Sequence, residues 1–171
     1  MKLISLTSAL AAAAALTALL PAQSASAATR ACSDATFEYN SNTNKEVQTQ
    51  RCLRTEHYQG GEAELAPEAL THWCKYLDSD GEWHNAASCS VQGTYRLTSP
   101  SGTRYTGSYP QLADRRVLVG EDYPCETGTW TLRNQLIYTL YVPRYVGSSD
   151  VRAIGDVESR KQSQIDITDC S

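Results

Sequence analysis

"HWCKYLDSDGEWHNAASC", His72 to Cys89, gathers two histidines, two tryptophans, two cysteines and three carboxylates into one short stretch. A metal or catalytic centre would show such a density, and so would a β-hairpin tied at its ends by sulfur. Turn chemistry favours the hairpin. Asp78-Ser79-Asp80-Gly81 has an Asx residue first and a glycine fourth, the pattern of a type I turn closed in the left-handed region. Asp78 then faces Glu82, Leu77 faces Trp83 and Tyr76 faces His84. Trp73, Leu77 and Trp83 share one side of that ladder, and His72, Cys74, Tyr76 and His84 the other, because side chains alternate with period two. The aspartates and the glycine serve the backbone, and the tryptophans are expected in the core or between two sheets.

The same template fits the next segment, "GTYRLTSPSGTRYTGSY" (93–109), where Ser99-Pro100-Ser101-Gly102 supplies the turn. Leu97 should oppose Tyr105 and Tyr95 oppose Gly107 on an apolar side. Thr98 should oppose Arg104 and Arg96 oppose Thr106 on a polar one, as a sheet with one wet face requires. "EVQTQRCLRTEHY" (46–58) and "RRVLVG" (115–120) also read as strands. "GEAELAPEALTHW" (61–73) is expected to hold a short strand and one helical turn begun by Pro67. "TWTLRNQLIYTLYV" (129–142) alternates most regularly, but it exceeds the usual strand of about five or six residues, so a bulge or bend, or a hairpin, is expected near Asn134. "YVGSSD" reads as loop and "QSQIDITDC" as the last strand. Short strands joined by Gly and Pro turns predict an all-β fold, an antiparallel disulfide-stapled β-sandwich with at most one short helical turn.

The chain opens with an apolar run from about Leu6 to Leu20, followed by Ala25-Ser26-Ala27 as a small-x-small cleavage signal. Residues 1–27 are therefore expected to be a signal peptide and the protein secreted. The run is shorter than the roughly 18 to 20 apolar residues that span a bilayer, so no membrane insertion is expected. Removing the leader takes away only Lys2 among charged residues, leaving the remainder slightly more acidic than the formal −4 of the whole chain. An acidic balance without a long basic stripe argues against nucleic acid as a partner. Residues 28–50, including the turn-rich "SNTNKE", are expected to form a polar N-terminal arm with a first strand, and residues 51–171 the sandwich domain.

Cys32, Cys52, Cys74, Cys89, Cys125 and Cys170 all follow the expected cleavage point. An even count in an exported chain predicts three disulfides, whose pairing the sequence leaves open. No C-x-x-C occurs, so zinc is not expected. "DSDGEW" lacks the distant glutamate of a calcium loop, so no metal or cofactor is expected there. His57, His72 and His84 are the only candidates for acid-base work near neutral pH, and no nucleophile motif accompanies them. Tyr123, Tyr141, Arg144 and Tyr145 surround the exit of the strongest strand and are the candidate binding residues, since Tyr and Arg are favoured at contact centres.

Residues 91–142, through "GTYRLTSPSGTRYTG" and "TGTWTLRNQLIYTLYV", resemble strands of immunoglobulin-like sandwiches. The Ala-rich leader and the stapled β body resemble small exported actinobacterial proteins. In format, the leader, polar arm and cysteine-bridged body are similar to the adaptor subunit of umbrella-type toxin particles, which links a lectin-like protein to a repeat-built stalk. That resemblance carries no residue with it. It implies a non-enzymatic module that binds another extracellular protein, as an adaptor or subunit of a secreted assembly. A protease inhibitor, an antimicrobial or envelope-binding effector and a small hydrolase are the alternatives.

Overall fold

Both tight turns form in the expected register. In the first, Asp78 N–H donates to Glu82 O and Gly81 N–H to Asp78 O, with Gly81 at φ 80°. Leu77 lies opposite Trp83 and Tyr76 opposite His84. In the second, Gly102 N–H donates to Ser99 O at 2.9 Å, and Leu97 pairs with Tyr105 and Tyr95 with Gly107. The computed structural model describes residues 28–57, 61–112 and 117–170. The expected leader over 1–27 and the first two residues of the "RRVLVG" segment, Arg115 and Arg116, lie outside the described residues.

The regular elements of the described residues are all strands: β1 (Thr29–Cys32), β2 (Thr36–Asn40), β3 (Lys45–Glu56), β4 (Glu64–Leu77), β5 (Trp83–Asn85), β6 (Ser88–Thr98), β7 (Arg104–Leu112), β8 (Val117–Val119), β9 (Tyr123–Pro124), β10 (Gly128–Pro143) and β11 (Val151–Ile167). They make two antiparallel sheets. In the first, β1 and β2 pair in series along one edge of β3, whose other edge pairs β4. β9, β8 and β5 pair in series along the far edge of β4. The second sheet runs β11-β10-β6-β7.

One apolar cluster joins the sheets. Val47, Leu53, Leu65 and Ala69 from the first meet Val91, Leu97, Trp130, Leu132, Leu136, Tyr138 and Leu140 from the second. A polar tie crosses as well: buried Arg51 of β3 donates from Nε to Ser163 Oγ of β11 at 2.9 Å, while its Nη2 donates to Thr36 Oγ1 of β2 in its own sheet at 2.8 Å. Three disulfides staple this body, Cys32–Cys52 between β1 and β3, Cys74–Cys89 between β4 and β6, and Cys125–Cys170 between the segment after β9 and the C-terminal tail.

Four local expectations are corrected. Pro67 begins no helical turn but lies inside β4, opposite Leu53. Its carbonyl accepts from Gly120 N–H at 2.8 Å, in the gap between β8 and β9. The N–H and C=O of one residue point to the same edge of a strand, so the donor that proline lacks is not needed there. The strand β10 does not bend at Asn134, which is buried, and Tyr109 Oη donates to its Oδ1 at 3.3 Å. The irregularity falls at Leu140/Tyr141 instead. The stretch 28–50 is paired strand, and the 50/51 boundary falls within β3. Of the two tryptophans expected inside, Trp83 is 42 % exposed and Trp73 is half-buried; they stand on the side of the first sheet that faces away from the second.

Candidate functional site

The residues that invite a catalytic reading are dispersed. His84 Nε2 lies 2.5 Å from Asp78 Oδ2 across the first turn. Asp78 Oδ1 also accepts from Asp80 N–H and Glu82 N–H at 2.9 and 3.2 Å. The Glu82 backbone hydrogen bond first, then the other bonds, hold the Asp78 carboxyl below its ordinary pKa. This carboxylate is spent on the turn. His72 occupies a bulge of β4, since Gln48 pairs with Trp73 and Thr49 with Thr71. The bulge turns its ring outward to within 3.2 Å of Gln50 Oε1, so His72 and His84 do not share a face. His57 follows β3 and lines a shallow cleft with Glu62, Pro124 and the Cys125–Cys170 bridge. No group of three His, Cys, Asp or Glu able to hold a metal occurs among the described residues.

The expected contact group divides. Tyr141 lies on β10, its Oη 3.4 Å from Ser90 Oγ. Arg144 and Tyr145 follow in the β10–β11 turn, where Arg144 Nε lies 3.0 Å from Asp150 Oδ2 and Tyr145 is 75 % exposed. Tyr123 sits apart from them. Its ring lies 4.4 Å from that of Tyr105, which in turn neighbours Trp130, and its hydroxyl lies 2.8 Å from that of Tyr95. That location is roughly 35 Å along β10 from Tyr141. Burial, reinforced by the bond to Tyr95, pushes the Tyr123 phenol up. It is a structural residue between the sheets.

The outer side of the first sheet holds the two tryptophans expected in the core, together with aromatic residues of β2. Phe37 pairs with Gln48, and Gln48 with Trp73; Tyr39 pairs with Glu46, and Glu46 with Lys75; Leu77 pairs with Trp83. Alternation therefore puts Phe37, Tyr39, Trp73, Lys75 and Trp83 on one surface. The Phe37 and Trp73 rings are 5.7 Å apart, and those of Tyr39 and Trp83 6.0 Å. Lys75 Nζ stands 4.4 Å from the Trp73 ring centroid. Phe37 and Tyr39 are more than half exposed, so no described segment covers them. Further along the same side, Glu68 is buried beneath Arg30, whose Nε lies 2.5 Å and Nη2 3.2 Å away, with Arg54 Nε at 3.6 Å.

The chain matches no family model, no curated protein and no solved structure. Its own geometry therefore carries the functional reading. The aromatic face had a sequence signal: Phe37 and Tyr39 alternate with polar residues in "TFEYN", as Trp73 and Leu77 do around Cys74 and Tyr76. What the alternation does not state is which side receives the second sheet.

Proposed function

We propose that the protein is a secreted, non-enzymatic module that binds another extracellular protein, as an adaptor or subunit of an assembly, through Phe37, Tyr39, Trp73, Lys75 and Trp83. The observation that carries this reading is the set of large aromatic rings left in solvent on a sheet. Isolated exposed apolar side chains are ordinary, but a contiguous group of them marks an interaction surface. Aromatic side chains dominate contact centres because each buries a large area while losing few rotamers. Here the strand backbone holds them already in place, which lowers the ordering cost of association. Lys75 over Trp73 adds a polar edge. Three disulfides in so small a body agree with an oxidising, extracellular setting.

The test compares the tagged protein with a Phe37→Thr/Tyr39→Thr/Trp83→Thr variant, each exposed to the producer's culture medium under oxidising conditions. Threonine suits strands, and exposed substitutions of this kind shift stability by only about 0.5 kcal/mol each. The expected result is a stoichiometric protein partner recovered by the parent and lost by the variant, with the variant still folded and its thermal midpoint within several degrees of the parent's. Equal recovery by both, or recovery by neither, overturns the reading.

A further inference from the structure

The outer side of the second sheet carries a separate feature. Arg30, Arg54, Arg144 and Arg160 each lie against a carboxylate. Arg96, Arg104 and Arg133 are exposed, and among the described residues none has an ion-pair or hydrogen-bond partner. They are neighbours. Arg133 pairs directly with Arg96 across β10 and β6, which places their Cβ atoms about 5 Å apart. Arg104 pairs with Thr98, one diagonal step from Arg96 on β7. Directly opposed like charges weaken a sheet, and this pair persists in a chain whose formal net charge is −4.

Carboxylates on the same side are engaged elsewhere. Asp156 accepts from Thr139 Oγ1, Asp166 from Thr129 Oγ1, and Glu158 from Arg160 and Gln135. Arg96 and Arg133 instead border a depression of about 540 Å³, lined also by Thr94, Thr106, Ser108 and Gln135, and Arg104 stands one diagonal step beyond it. Guanidinium forks match the paired oxygens of sulfate, phosphate or carboxylate groups, and the short hydroxyl and amide side chains between them suit a polyol. Nucleic acid would call for aromatic stacking platforms, and the one aromatic residue at the depression, Tyr95, is buried with its ring against Tyr109 and Tyr123. An acidic protein segment would call for an apolar centre to bury, and the lining is hydroxyl, amide and guanidinium.

We propose that this face binds an anionic polysaccharide, with its acid groups on Arg96, Arg104 and Arg133 and its hydroxyls on the surrounding Thr, Ser and Gln side chains. The site stands on the opposite sheet from the aromatic surface and does not depend on it.

The experiment measures binding of the disulfide-bonded protein to dextran sulfate at low salt, with uncharged dextran, polyglutamate and a single-stranded DNA oligomer as comparisons. The parent should bind dextran sulfate, more weakly as salt screens the charges, and should not bind dextran. Arg96→Gln/Arg133→Gln should weaken binding about tenfold or more. Removing a like-charge pair should leave the thermal midpoint unchanged or higher, so unfolding would not explain the loss. Arg152→Gln removes an exposed arginine elsewhere on β11 and should leave binding intact, as should the aromatic-face triple variant. No binding to dextran sulfate, an equal loss with Arg152→Gln, or tighter binding of polyglutamate or DNA than of dextran sulfate overturns the assignment.

Discussion

Cys74 of β4 and Cys89 of β6 are bonded with their Cα atoms 6.5 Å apart, and the chain between them passes from one sheet to the other. Ala86 N–H donates to Cys74 O in the first sheet, and the next residue, Ala87, donates to Tyr141 O in the second, both at 2.9 Å. The bond therefore spans the crossover. It holds the two layers together at this end, and Cys125–Cys170, between the segment after β9 and the tail after β11, adds a second covalent tie to the side-chain packing.

Removing it should loosen the layers without abolishing the strands. Cys74→Ser/Cys89→Ser is expected to lower stability by about 2 to 4 kcal/mol, the usual worth of a bridge that restricts the unfolded chain. Urea denaturation of the variant beside the parent measures the loss. An unchanged midpoint would show that the core alone sets the distance between the sheets.

A second test concerns how closely β6 and β10 approach. Gly93 lies opposite Leu136, and a Cβ built there would stand 2.1 Å from Gln135 O and 2.8 Å from Leu136 Cδ2. The first of these is backbone and cannot rotate away, so Gly93→Ala must push two central strands apart. A cost of about 1 to 3 kcal/mol is expected. Gly102, with open space around its hydrogen but φ at 90°, needs its glycine for backbone conformation instead; Gly102→Ala should cost about 1 kcal/mol. Chemical denaturation should rank the two variants in that order.

Tyrosine ionisation supplies a third test. Burial is the leading cause that raises the phenols of Tyr109, Tyr123 and Tyr138, the last to about 12. A phenol raised in the folded state stabilises the fold fully below its unfolded pKa of about 10 and loses that contribution as pH climbs through the folded value. Stability should hold up to about pH 10 and decline above it, with Tyr138 contributing to the loss up to about pH 12. Absorbance titration should show these three ionising late, in step with loss of near-ultraviolet circular dichroism. Normal titration of all ten tyrosines with the fold intact would contradict the burial described.

Much of this architecture was legible in short stretches of sequence. Asp78-Ser79-Asp80-Gly81 and Ser99-Pro100-Ser101-Gly102 set their own registers, because two left-handed glycines and a turn of known length leave little choice about which residues oppose. Other features required the partner strands. Pro67 survives in a strand because its edge faces the break between β8 and β9. Asn134 stays in continuous pairing with β6 and β11 and is buried against Tyr109, which is far away in sequence.

The candidate sites were less legible for a related reason. Alternation in "TFEYN" and around Trp73 sorts side chains into two sets but does not say which set meets water, and docking of the second sheet leaves the tryptophans on the outer side. Tyr123, Tyr141 and Tyr145 are alike in composition, yet packing half-buries the first against Tyr95 and Tyr105 and leaves the last in solvent. The arginines emerge as a group only when β6, β7 and β10 lie side by side.

The sequence by itself determined most of the strands, the two tight turns and the sulfur-rich character, all of which depend on residues within a few positions of one another. Tertiary structure alone decided the cysteine pairing, the outward side of each sheet and the grouping of aromatic and arginine side chains. Those depend on where distant strands dock, and a period-two pattern is unchanged when a sheet is turned over.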